Sequence, residues 1–306
     1  MGKLSYDPRL VPEGPWALRL AGWLGRRQLR AMTRRGLPES LRGPLEFLLE
    51  RTIPGGDYGP LDRAEALRAE LARRDGTLTT FDHVKATGVA PAKTRRTDEA
   101  RPLERSSRDV AYGSSVTAVW GTFLYLCATA ARARTIVELG TAAGISGSYL
   151  GSAPSCRRFI TVEGDAGRAR LAEANLRPFI PHVEVLNTTF EAALDSLLTH
   201  LHDGIDMAFI DGQKTRGSYV ALLDRLAPRL NPGALVVFDD IQWFDVQQDW
   251  QSIATRPSLS FVINTGRFGV CIWDPASARP KAFTLYGLAG LDVYQIRRDM
   301  AAYLRR

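Results

Sequence analysis

TIVELGTAAGIS, residues 135–146, decides how the chain is read. Its first half is short, apolar and β-branched, the composition of a buried strand. Gly140 and Gly144 then let the backbone turn sharply and approach a neighbouring group closely. A helix opening near Ser146 leaves its first N–H groups free to meet a carboxylate or phosphate. The spacing is G-x-x-x-G, whereas a dinucleotide fold calls for G-x-G-x-x-G. On its own the stretch also reads as a plain tight strand-to-helix turn.

Outward to the C-terminus the same alternation repeats. FITVEG (159–164), VEVLN (183–187), DMAFID (206–211) and ALVVFDD (234–240) read as strands, with helices predicted over 166–176, 190–200, 217–230 and 246–255. LSFVINT (259–265) and VCIWD (270–274) are two late strands, and a helix over 116–131 leads into the first. Strands alternating with helices of this length predict an α/β, doubly wound (Rossmann-like), mostly parallel seven-stranded sheet. Ligands in such sheets bind beyond the carboxyl ends of the strands.

Toward the N-terminus the character changes. Residues 15–35 carry a basic amphipathic helix pattern, and helices are expected near 40–51 and 61–74. Residues 85–110 are rich in Arg, Thr and Ser and read as an extended linker or loop. The expected division is therefore a helical extension and linker over 1–110, a lid, substrate cover or dimer element, and a main domain over 111–306. Of the net charge of +7, residues 1–110 hold 21 Lys+Arg against 15 Asp+Glu, so the excess lies in the extension. Such an excess attracts nucleic acid, anionic lipid or an acidic ligand, or is simply a solvated Arg-rich surface. Packing of residues 15–35 on their own protein is the default, with peripheral membrane contact as the alternative. MGKLSYDPRLVPEGP has no apolar core of a signal peptide, and no apolar run approaches a membrane span. Three cysteines without metal-type spacing are expected to be reduced in a cytoplasmic protein. None of the four histidines lies near a nucleophile motif, which leaves a Ser/His or Cys/His hydrolase little support.

The residues with chemical potential all fall at strand ends. Glu163, 25 residues after Glu138, can accept both hydroxyls of a ribose. Glycines and an acid without a pyrophosphate-type loop describe an S-adenosylmethionine site better than an NAD site. The fourth strand ends in Asp211-Gly212-Gln213-Lys214 and the fifth in Asp239-Asp240. Adjacent carboxylates about 4 Å apart repel by roughly 4 kcal/mol near a protein surface, so something should compensate them. Asp211, Asp239 and Asp240, meeting at one sheet edge, form an oxygen-rich set suited to Mg²⁺, Mn²⁺ or Ca²⁺. Turn and N-cap aspartates are the bland alternative.

ELGTAAGIS, VEGD, FIDGQK and VVFDDIQW, in this order, resemble the class I S-adenosylmethionine-dependent methyltransferases. Within them the chain looks like the metal-dependent O-methyltransferases of the catechol and caffeoyl-CoA type over about residues 112–275. The family pattern is D-x-x-K, then an acid 28 residues after that Asp followed by Asn; Asp211, Lys214 and Asp239 match it. The resemblance implies that Glu138, Gly140, Thr141, Ala142, Gly144 and Ser146 hold the methionine end of the cofactor, with Val116 of SVTAVWG at its carboxylate. It implies Glu163 at the ribose, Thr189 and Phe190 at the adenine, and Asp211 within the cofactor site as well. Asp211, Asp239 and Asp240 become ligands of a divalent ion, Mg²⁺ first. Lys214, with its pKa lowered by its surroundings, becomes the general base, with Asp211 beside it. Asp240 departs from the family's Asn. The stretch TGRFGVCIW offers no counterpart of the acid that orients a catechol's second hydroxyl.

The expected function is metal-assisted methylation of a hydroxyl or carboxyl group on a small molecule or natural product, by a cytoplasmic homodimer. The rival readings are an RNA methyltransferase docking through the basic N-terminal third, a non-catalytic cofactor-binding protein and, more remotely, an NAD-dependent oxidoreductase. Nucleic acid is not the expected partner, because no RNA-binding module is visible.

Overall fold

The computed structural model describes residues 15–84 and 96–285. The strands β3 (Thr135–Leu139), β4 (Arg158–Val162), β5 (Val183–Leu186), β6 (Ile205–Ile210), β7 (Leu230–Phe238), β8 (Leu259–Asn264), β9 (Gly269–Trp273) and β10 (Lys281–Thr284) form one sheet. Its order is β10-β8-β9-β7-β6-β3-β4-β5. All neighbours are parallel except β9, which runs antiparallel to both β7 and β8. The doubly wound sheet is as expected, with eight strands where the sequence suggested seven. The added strand, Lys-Ala-Phe-Thr, is too short and polar to announce itself. Phe283 stacks on Phe261 of β8 at 6.3 Å, and Arg35 lies over the Phe283 ring.

Side-chain alternation along the strands divides the core in two. Ile136, Phe209, Leu235, Val237 and Val270 face one side, where they pack with α5 (Ala118–Ala130) and α6 (Ile145–Leu150). Val137, Leu139, Ala208, Ile210, Val236 and Phe238 face the other, against α8 (Phe190–His200), α9 (Ser218–Leu226) and α10 (Phe244–Ile253). Both faces are covered, so β3 is buried along its whole length. The remaining crossover helix, α7 (Ala166–Leu176), joins β4 to β5 and is capped by Asp165, whose side chain accepts from the Arg168 N–H.

The N-terminal helices join the first of these cores. Leu41, Leu45, Phe47 and Leu48 of α2 (Glu39–Glu50) and Leu61, Ala64 and Leu67 of α3 (Gly59–Arg73) share it with Val119, Phe123 and Leu124 of α5. The amphipathic reading of residues 15–35 becomes α1 (Pro15–Arg34), which buries Leu29 and Met32 and exposes Trp23 and Leu24. The linker expected over 85–110 is corrected in part. Residues 85–95 lie outside the described residues, but Arg96–Ser106 is a strand, β2, pairing antiparallel with β1 (Thr77–Val84), and α4 follows at Ser107–Gly113. Thr-Leu-Thr-Thr-Phe supplies the β-branched partner that lets the Arg-rich segment extend as a strand. Among the described residues no single helix is long and apolar enough to cross a membrane.

Candidate active site

The carboxyl ends of β3, β4, β6 and β7 meet at one edge of the sheet, and Gly140 is what lets two of them touch. It has φ +110°, and a Cβ there would stand 2.3 Å from the Asp211 carbonyl oxygen. The Asp211 N–H donates to the Leu139 carbonyl at 2.8 Å, and the Asp239 N–H to that of Ile210 at 2.9 Å. These bonds continue the parallel ladder one residue past each strand. Gly144, at φ +85°, caps α6 in the left-handed region.

Below this turn lies Glu138, fully buried on the α6 side of the sheet. Its Oε2 accepts from the Thr161 hydroxyl at 2.6 Å, and Thr161 shares a short hydrogen bond with Thr141. Its Oε1 has no hydrogen-bond partner among the described residues. Burial pushes the Glu138 carboxyl up to about 7, against the pull of the Ser146 and Thr161 hydroxyls. Glu163 stands at the end of β4, where it accepts from the Ala142 N–H at 2.9 Å and the Asp165 N–H at 3.0 Å, and pairs with Arg168 at 2.9 Å. The glycine turn is thus tied to the neighbouring strand through a carboxylate.

Of the remaining residues marked in the sequence, Val116 precedes α5 with its carbonyl accepting from Arg68 of α3. Thr189 caps α8, its hydroxyl accepting from the Ala192 N–H at 3.3 Å. Phe190 lies against Gly212, where a Cβ would come within 2.5 Å of its ring.

Asp211, Asp239 and Asp240 come together, one oxygen from each lying within 4.8 Å of the others. The problem of two adjacent carboxylates is solved by the end of β7 at Phe238. Asp239 is buried, whereas Asp240 takes φ +51° and turns out of the strand path. Lys214 reaches into the group, its Nζ 2.8 Å from Asp211 Oδ1, 3.7 Å from Asp239 Oδ2 and in hydrogen-bond contact with Asp240 Oδ2. Tyr219 of α9 donates its hydroxyl to the Asp239 carbonyl at 2.6 Å. That helix is capped from α10, because Asp249 accepts from the N–H groups of Gly217 and Tyr219.

Arg267, unmarked by any local sequence pattern, joins the cluster. Its guanidinium grips Asp239 as a fork, Nε to Oδ1 at 2.8 Å and Nη2 to Oδ2 at 3.0 Å. The signal lay in the register. Phe238 pairs with Gly269 across antiparallel β7 and β9, so the loop just before β9 must lie beside the residues just after β7. TGRFGVCIW, which has no acid, brings a cation.

The electrostatics correct the expectation for Lys214. Burial alone lowers an ammonium pKa, but Asp211, Asp240 and Asp239 outweigh it and hold Lys214 well above its usual range, as a cation. Burial raises Asp211 well above the usual carboxylate range, Lys214 opposing and its two acidic neighbours reinforcing. Asp239 goes the other way, because Arg267 and then Lys214 overcome its burial.

Residues 137–241 match a family described as a methyltransferase domain. Two catechol O-methyltransferases are similar in sequence. That of Mycobacterium tuberculosis is 36% identical over 132 residues, 42% of this chain and 57% of the relative. That of Niastella koreensis is 34% identical over 131 residues, 42% of this chain and 58% of the relative. The chain therefore spans under two thirds of the length of these relatives. Among solved structures, the O-methyltransferase of Bacillus cereus in complex with SAH is 21% identical with a TM-score of 0.47, covering 52% of this chain and 83% of that one.

Proposed function

We propose, on the premise that residues 137–241 form a methyltransferase domain of the class I S-adenosylmethionine-dependent kind, that the protein methylates an oxygen atom of a small molecule. The observation that carries this reading is the meeting of the glycine turn with the Asp211–Lys214 cluster at one sheet edge, through the close approach that Gly140 permits. That edge suits a cofactor on one side and an acceptor on the other.

The residues fit the cofactor. A cradle without a Cβ at Gly140, an unpartnered buried oxygen on Glu138 and free N–H groups at the start of α6 are what a zwitterionic amino-acid end requires. S-adenosylmethionine, when bound, supplies an electrophilic methyl group. In this reading Val116, Glu138, Gly140, Thr141, Ala142, Gly144 and Ser146 surround its methionine end. Glu163, already oriented by Ala142 and Arg168, takes the ribose, with Thr189 and Phe190 toward the adenine. On the acceptor side Lys214 acts as a fixed ammonium that draws an acceptor oxygen into line. Asp211, raised by burial, is the carboxylate that takes the hydroxyl proton. Most of the rate gain comes from holding the two partners in register.

The divalent ion implied by the resemblance is not fitted by the side chains as they stand. The carboxylates form a suitable oxygen set, but Arg267 occupies both oxygens of Asp239 and Lys214 stands among all three acids. No step here runs through an ion. The helices α1 to α3 are read as a cover of the α5 side of the sheet, next to the segment read as facing the cofactor, and exposed Trp23 and Leu24 on α1 support a homodimer contact.

The test is calorimetric titration of the full chain with S-adenosylhomocysteine, followed by assay of its release with phenols, alcohols and carboxylic acids as acceptors. Binding is expected near 1:1, and Asp211→Asn and Lys214→Met should abolish turnover while keeping that binding. Absence of S-adenosylhomocysteine binding removes the reading. Binding with methylation confined to nitrogen or RNA removes the oxygen acceptor.

A further inference from the structure

We propose that the three-carboxylate cluster is a metal-free site, its centre held by two cations of the chain itself, Lys214 and Arg267; this rests on the methyltransferase reading and deepens it. Lone pairs and space both stand against an ion here. A divalent ion shared by Asp211, Asp239 and Asp240 needs an inward-facing oxygen from each, at about 2.0–2.6 Å. Asp239 has little to give, because three of its roughly four acceptor positions are taken and Lys214 stands before the other oxygen. Its Oδ1 accepts from Arg267 Nε and from the Asp240 N–H, both at 2.8 Å, and its Oδ2 accepts from Arg267 Nη2 at 3.0 Å. The fork is planar and two-point, the geometry in which an arginine holds a carboxylate most specifically. Asp211 Oδ1 and Asp240 Oδ2 both point at Lys214, whose Nζ lies no more than 3.7 Å from any of the three acids. The ammonium therefore stands where the ion would have to sit.

Charge gives the same answer. Arg267 also lies 3.9 Å from Asp240 Oδ1, so both cations serve the acid that replaces the family's Asn. Neither cation can leave easily. Side chains of Lys214 and Arg267 are 10% and 15% exposed, and withdrawing either would leave a buried carboxylate uncompensated. What a metal does elsewhere, holding an acceptor oxygen and favouring its anion, falls here to the ammonium, with the guanidinium fixing the acid behind it. Arg267 is thus a positioning residue, acting through Asp239.

Chelator-treated full-length protein titrated with MnCl₂, with free Mn²⁺ followed by electron paramagnetic resonance, tests this. The wild type should take up no stoichiometric Mn²⁺ at about 100 µM, with or without S-adenosylhomocysteine. Arg267→Met, which removes the guanidinium from both Asp239 oxygens, or Lys214→Met, which empties the centre, should bind it at least about tenfold more tightly. Circular dichroism identifies any variant that fails to fold, and the wild-type titration decides the matter without either. One Mn²⁺ per wild-type chain in the micromolar range, lost in Asp239→Asn, overturns the proposal. Failure of both folded variants to gain Mn²⁺ overturns the role given to the two cations. Calorimetry with S-adenosylhomocysteine on the same preparation separates the two readings. Cofactor binding together with tight Mn²⁺ removes only the metal-free inference, whereas no cofactor binding removes the methyltransferase reading.

Discussion

Glu138 carries a pH dependence that can be measured apart from any reaction. Its folded pKa, about 7, lies above the ordinary 4.5 because the carboxyl is buried, with the Ser146 and Thr161 hydroxyls opposing the rise and Glu163 adding to it. Between those values the folded chain keeps a proton that the unfolded chain releases. The contribution of this group is fully favourable below the ordinary value and is lost as pH rises through about 7, on the order of 3 kcal/mol in all. Glu138→Gln keeps the shape without the charge. The variant should therefore melt higher than the wild type at pH 8, with the gap closing by about pH 4.5. Melting curves showing one constant gap across that range would falsify the buried-carboxyl account. Single residues also mark the limits of what could be read in advance. Asp211, Lys214 and Asp239 were legible because strand ends and a fixed spacing place them together. The state of Lys214 was not, since it depends on three acids arriving from separate strands. Arg267 was hidden for another reason: its importance lies in antiparallel register, which no local pattern encodes.

Helix α3 takes part in the cofactor side of the fold through Arg68, which is almost fully buried and pairs with Glu65 of the same helix at 3.0 Å. Its two terminal nitrogens donate to the carbonyls of Ala111 and Val116, at the end of α4 and just before α5. The segment proposed to face the cofactor's carboxylate is thus held by the N-terminal extension. Arg68→Met leaves two buried carbonyls without donors, a cost on the order of 2–4 kcal/mol. It should weaken S-adenosylhomocysteine binding along with stability; calorimetry finding unchanged affinity in a folded variant would separate α3 from the site. At this scale the central strands were legible from their apolar runs, closed by Gly140, Gly164 or an acid. The β1–β2 pair was not, because its partner strand is rich in Arg and lacks apolar alternation. Strand β10 is held largely by what packs on it. Lys281 donates to the Arg35 carbonyl at 2.8 Å and Gln28 to that of Thr284 at 3.0 Å, which fastens the sheet edge to α1.

For the molecule as a whole, the shared core of α2, α3, α5 and the sheet governs what can be removed. A chain beginning after residue 75 would expose Phe123, Leu124 and their neighbours, which are fully buried. It should be recovered aggregated or as a loosely packed, dye-binding species, and a sharp cooperative melt from such a fragment would show the extension to be dispensable. The basic excess in the first third was legible from composition, yet composition gives no hint that these helices close a core. The sheet order has its own consequence for biosynthesis. Strand β9 lies between β7 and β8 although it leaves the ribosome after both. Until it inserts, β7 has an open edge and Asp239 waits without its guanidinium. A chain arrested before residue 267 would carry an incomplete sheet and an unneutralised acid at the same place. The stretch that seals the open edge of β7 thereby also carries the guanidinium for Asp239, so that sheet pairing and the arrival of that charge depend on the same few residues.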